Sequence, residues 1–185
     1  MPTASAHAVT WRFVTQTIDG YSVLAFLPFV VLAPALGFLL SQRFARPWPL
    51  VTLSIASIGA VLAVTVFGRM LKLTSWGVGD FAVRWIVDGA LWAHVLEPDR
   101  TWVLNAALFV PAGCLLTLTT RRPWLTVLSL TDFSLVIEFV QRGTRLGVAD
   151  PSDLVANIAG AMAGTLIAVA ALHSHRMDSP NQPPA

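Results

Sequence analysis

Polar and apolar residues alternate in long blocks along this chain, and the blocks have the length of membrane spans. Four stretches carry no charged residue: Tyr21 to Leu40, Pro47 to Gly68, Thr101 to Thr120 and Leu154 to Leu172. Each is close to the ~20 residues a helix needs to cross ~30 Å of hydrocarbon. A fifth, Pro123 to Gln141, has the right length but contains Asp132 and Glu138. Its roughly eleven strongly apolar residues, at about −0.4 kcal/mol each, are nearly cancelled by two carboxylates costing up to ~3 kcal/mol each near the bilayer centre. That segment is expected to insert only where protein neighbours surround its acids.

Hydrocarbon offers no partner to backbone amides, so these blocks predict helices in spite of their many Val and Ile residues. The fold class is an all-α membrane protein, a bundle of about five transmembrane helices over residues 21–40, 47–68, 101–120, 123–141 and 153–172. Residues 1–20 form an N-terminal segment with no continuous apolar core and no small-residue cleavage pattern, so a removable signal peptide is not expected. Between the second and third spans, Arg69 to Arg100 is too charged for a sixth crossing, yet Phe81, Trp85, Ile86, Leu91, Trp92 and Val95 give it an apolar aspect. It reads as a helix lying along the interface, where tryptophan is favoured, or as a loop. The tail, 173–185, is rich in proline and is expected to be disordered. No internal repeat is evident.

Composition agrees with a bilayer environment: 55% of residues are hydrophobic and 12% charged. The net charge of +2 is spread over single or paired basic residues, so no nucleic-acid partner is expected. Short basic turns, Arg43 with Arg46 and Arg121 with Arg122, fall on the same side of the bundle. The positive-inside rule makes that side cytoplasmic, with the N-terminus outside and the C-terminus inside. The opposite side also carries basic residues, including Arg69, Arg84, Arg100 and Arg142, interleaved with acids.

The candidate chemistry lies in the last three spans. Ser134, Glu138 and Gln141 fall within a sector of about 60° on the fourth helix, whereas Asp132 lies about 120° from Glu138. Asp132 therefore needs a partner of its own. In the fifth helix, Asp153, Asn157, Gly160 and Gly164 share one face, and Asp150-Pro151-Ser152-Asp153 reads as an N-cap, a proline in the first turn and an acid at the positive helix end. Ala156, Gly160, Gly164 and Ala168 recur every four residues, a spacing that lets membrane helices pack closely. If the hairpin closes, Glu138 and Gln141 meet Asp150 and Asp153 with Arg145 between them. Asn105, before a kink expected at Pro111 and Gly113, is placed to bond Glu138 or to join two helices. Two readings stand for this cluster: a site that grips a polar group at the membrane surface, or an ion-paired hairpin that satisfies its own charges.

His7, His94, His173 and His175 make no helical zinc motif, Gly77 and Gly79 make no phosphate loop, and Cys114 is the only cysteine. No metal and no cofactor are expected. The ordered set Asn105, Phe109, Pro111, Gly113, Ser134, Glu138, Gln141, Arg145, Asp150, Asp153, Asn157, Gly160 and Gly164 resembles the VanZ-like family of bacterial membrane proteins. The resemblance covers Leu104 to Leu166, roughly a third of the chain. It implies a multi-helix protein of the bacterial cell membrane, in a family whose founding member is associated with low-level resistance to the glycopeptide teicoplanin. It implies no reaction. Asp132 departs from the family pattern, where a small or apolar residue is more usual.

The leading expectation is thus an envelope protein with Asn105, Ser134, Glu138, Gln141, Arg145, Asp150, Asp153 and Asn157 as its polar site, and with the bilayer and an envelope precursor as partners. A membrane-embedded hydrolase or transferase using Glu138 or Asp153 as general base on a lipid-linked precursor is a second class. It is less favoured because no nucleophile or metal-ligand set accompanies the acids. A carrier with Asp132 and Glu138 lining a polar path, and a purely structural bundle, complete the alternatives.

Overall fold

A computed structural model describes residues 20–72, 95, 99–144 and 150–177. The segment expected to lie along the interface falls outside these residues except at its ends and at Val95. So do the N-terminal segment before Gly20, Arg145, and the tail beyond Met177. The described residues form five helices, each long and apolar enough to cross a membrane, and no strand. Helix α1 is Gly20–Phe44. Helix α2 consists of an α-helical stretch Trp48–Leu62, a π-helical turn Ala63–Phe67 and a last α-helical turn Gly68–Lys72. Helices α3, α4 and α5 are Arg100–Thr120, Pro123–Gly143 and Pro151–Met177.

The ends follow from local chemistry. Asp99 caps α3, its carboxylate accepting from the Trp102 amide at 2.7 Å. Proline opens α4 and α5, where its missing N–H costs nothing. Helix α5 continues past Leu172 to Met177, into the first residues of the stretch expected to be disordered, where no helix breaker occurs. The Ser174 hydroxyl bonds back to the Ala170 carbonyl within that extension.

The tightest pairing is between α3 and α5, which run parallel. A Cβ added at Gly160 would strike the Ala106 carbonyl, and one at Gly164 the Val110 carbonyl. The two backbones are therefore in direct contact, which only the smallest residue permits. Ala156 and Ala168, the other members of the four-residue spacing, are completely buried. Two polar pairs bracket this contact, Asn105 with Asp153 and Thr117 with Thr165, both 48 residues apart in sequence. Equal offsets mean equal register, and the twelve residues between the pairs place them about 18 Å apart along the helices. Helix α4 returns antiparallel against α5, and α2 closes the other side. Their meeting point is a core of Val61, Phe109, Ala112, Leu130, Ile137 and Ala161.

Helix α1 packs mainly on α2 and leaves most of its surface outward. Val31, Leu39, Trp124 and Leu166 are similarly exposed, as hydrocarbon allows and water does not. Because the α3–α5 contact leaves no room for a side chain, Gly164→Val is expected to destabilise the bundle by about 1–3 kcal/mol. Ala163→Val, on the exposed face of the same helix, is expected to change little. Unfolding of purified protein in detergent checks this, and equal loss in both variants would contradict it.

Candidate functional site

The polar stripe of α4 is buried, and each of its members reaches a different partner. Ser134, Glu138 and Gln141 are 0%, 1% and 2% exposed. The Ser134 hydroxyl accepts from Asn157 Nδ2 on α5 at 2.8 Å. About one turn on, Glu138 Oε2 accepts from the Asp150 amide at the mouth of α5, at 3.3 Å. Gln141 turns the other way and donates from Nε2 to the Thr65 carbonyl of α2 at 2.9 Å. The closed hairpin thus brings Glu138 to the start of α5, while Gln141 joins α4 to α2.

At the start of α5, Asp150 Oδ1 accepts from the Ser152 amide at 2.8 Å, an N-cap. Asp153 Oδ1 accepts from Asn105 Nδ2 at 2.6 Å. Asn105 therefore bonds Asp153 and not Glu138. The parallel register of α3 and α5 sets these two residues level, whereas Glu138 approaches from α4 on the far side of Asp150.

Two contributors come from α2, outside the last three spans in which the chemistry was expected. The π-helical turn holds Thr65, whose carbonyl receives Gln141 while its hydroxyl bonds the Val61 carbonyl at 2.7 Å. One wide turn of this kind rotates everything after it relative to a regular helix. Arg69 follows at once, and its positive charge acts on both Glu138 and Asp153. Asp150 is a like-charged neighbour of both, and Asp99 adds to the field at Asp153. The cluster is acid-rich, with Arg69 as a cation shared between helices.

Asp132 is not part of it. This residue is exposed on the outer face of α4, in line with Trp124, Leu128 and Val136, so it does not share a path with Glu138. The 120° separation on the helical wheel carries through directly, because Glu138 faces α5.

Among the described residues, Gln141 Oε1 and Asn157 Oδ1 are buried without a partner. Both side chains are fixed by their amide nitrogens, on the Thr65 carbonyl and on Ser134. An orphaned buried acceptor costs about 1–3 kcal/mol, so two of them beside two carboxylates mark a place that a donor group would stabilise.

A family model described as VanZ/LLP1 matches residues 68–172 of this chain, more than half of its 185 residues. The match begins at the end of the π-helical turn and takes in Arg69 and every polar residue of the cluster that follows it. No curated protein and no solved structure matches the chain.

If Arg69 and Glu138 are coupled through their charges, Arg69→Met alone is expected to destabilise the protein by removing a positive charge near both acids. Adding Glu138→Gln should recover part of that loss. A double-mutant cycle on unfolding in detergent checks it, and simple additivity would contradict the coupling.

Proposed function

The chain belongs to the VanZ/LLP1 family, and from that premise we propose that it acts at the bacterial cell envelope by holding a hydrogen-bond-donating group of an envelope precursor in the cluster around Glu138. The group is a hydroxyl or an ammonium, carried by a free or a lipid-linked precursor. The observation that carries this reading is the pair of buried, unpartnered acceptors, Gln141 Oε1 and Asn157 Oδ1, beside Glu138 and Asp153. A purely self-satisfying ion-paired hairpin leaves them unexplained. Glu138, Gln141, Asp150, Asp153 and Asn157 make up the site, Asn105 and Ser134 orient its members, and Arg69 balances their charge. Arg145 lies outside the described residues and is kept in the proposal on its place in the sequence alone.

The positive-inside rule supports an orientation in which the arginine-bearing turns at Arg43, Arg46, Arg121 and Arg122 are cytoplasmic. The N-terminus then lies outside and the C-terminus inside. The cluster lies at the opposite end of the bundle, where α3 and α5 begin, and in this orientation faces the outer side. The association of the family's founding member with low-level teicoplanin resistance supports the same assignment. A role in glycopeptide tolerance is accordingly part of the proposal.

Glu138→Gln keeps the shape of the side chain and removes its charge. Expressed in a susceptible host, the variant is expected to lose most of any teicoplanin tolerance that the unmodified chain confers, at unchanged abundance in the membrane. Full tolerance in the variant would contradict a site at Glu138. Tolerance falling only in step with abundance would reduce the cluster to a structural element.

A further inference from the structure

At the end of the bundle remote from the cluster, two turns are built alike. Ala45-Arg46-Pro47-Trp48 joins α1 to α2, and Arg121-Arg122-Pro123-Trp124 joins α3 to α4. In each, the first residue is left-handed, Ala45 at φ 51° and Arg121 at φ 58°. These are the only non-glycine residues of positive φ among those described, a conformation that side chains rarely adopt. In each, proline follows at the helix start, and the tryptophan is exposed at a level where the ring favours the membrane interface. The two turns deliver Arg46 and Arg122 to the rim of the same hollow. It has a volume of about 490 Å³ and is also lined by Thr119, Thr120, Thr126 and Ser129.

That hollow continues into an apolar groove of about 460 Å³ between α1, α2 and α3, with which it shares Leu116, Thr119 and Thr120. Phe29, Leu36, Leu40, Val51, Ile55 and Ile58 line the groove, and the exposure of Leu36 and Leu40 shows that it opens sideways to the bilayer. From Phe29 to Leu40 the groove runs about 16 Å along α1, the depth of one leaflet of a ~30 Å hydrocarbon core. Its volume is in the range of small-molecule sites. The mouth is ordered: the Thr120 hydroxyl accepts from the Arg122 amide at 3.2 Å, and Ser54 and Thr119 hydroxyls bond at 2.8 Å across α2 and α3. Among the described residues at this end, 40–50, 117–126 and 168–174 contain no acid. Arg46 and Arg122 therefore face a membrane surface with no carboxylate of the described chain to neutralise them.

We propose that this composite groove is a binding site for an anionic phospholipid, one acyl chain lying between α1, α2 and α3 and the phosphate seated between Arg46 and Arg122. Guanidinium suits phosphate by charge and by its forked donors. The apolar groove supplies the remainder by removing a chain-length of hydrocarbon from competition with bulk lipid. The site is independent of the Glu138 cluster and of the orientation of the protein, since either leaflet can supply such a lipid.

The test uses the full chain, purified and delipidated in a neutral detergent, with retention of phosphatidylglycerol and phosphatidylcholine of equal chain length compared by native mass spectrometry. The unmodified protein is expected to prefer the anionic lipid on the order of tenfold, as two arginines near a surface allow. The preference should fall as salt is raised. Arg46→Gln with Arg122→Gln should bring the ratio towards one. Arg43→Gln, at the same end but outside the groove, should leave it unchanged. Leu36→Trp, which fills the groove, should reduce retention of both lipids. Equal retention of the two lipids by the unmodified protein would overturn the site. A preference insensitive to salt, or equally weakened by Arg43→Gln, would overturn it as well.

Discussion

The backbone contact between α3 and α5 sets the positions of everything else of chemical interest. Hydrocarbon gives apolar helices no reason to associate with each other in preference to lipid, so close packing and polar pairs must hold them. Gly160 and Gly164 let α5 settle onto the carbonyls of Ala106 and Val110, and Asn105–Asp153 and Thr117–Thr165 lock the register. Shifting α5 by a single residue would break both polar pairs. It would also rotate Asn157 away from Ser134 and draw the Asp150 amide from Glu138. The site is thus a consequence of register, and register rests on the close backbone contacts at Gly113, Gly160 and Gly164.

Burying Glu138 within this arrangement has a cost that its neighbours must offset. One backbone amide, the charge of Arg69 and the positive end of α5 act in its favour, while Asp150 and Asp153 act against it. Among the described residues, Gln141 Oε1 and Asn157 Oδ1 are buried without a partner. A protein that needed only stability is served better by apolar residues at these positions. Keeping two acids and two amides at the bundle end is the pattern expected where polar groups serve a ligand.

Much of this was legible in the sequence. Uncharged blocks of span length announced four helices, and the fifth followed from its length; of its two acids, Glu138 is surrounded by protein as expected, whereas Asp132 is exposed on the outer face of α4. The four-residue spacing of small residues pointed to the packing face of α5, and the common sector of Ser134, Glu138 and Gln141 pointed to their shared burial. Asn105 was open between bonding Glu138 and joining two helices, and it joins α3 to α5 through Asp153, a choice a helical wheel leaves open because it holds no information on the relative register of two helices. Arg69 and Thr65 escaped because the π-helical turn has no signature in hydropathy, and because a charge just past an apolar block reads as a solvated end. The paired Arg-Pro-Trp turns escaped for another reason: three residues are too short to register as a repeat. Their meaning appears only when the two turns are seen side by side.

The bundle has two unlike ends, an acid-rich cluster where α3 and α5 begin and a basic rim where they end. The central claim is that α3, α4 and α5 are held in the register that brings Asn105 to Asp153 and Ser134 to Asn157. Disulfide cross-linking in native membranes, with Cys114→Ser as background, tests it most directly. Ser134→Cys paired with Asn157→Cys is predicted to cross-link rapidly on mild oxidation, whereas Asp132→Cys paired with Asn157→Cys is not. Equal cross-linking of the two pairs, or none in the first, would contradict the register and with it the site.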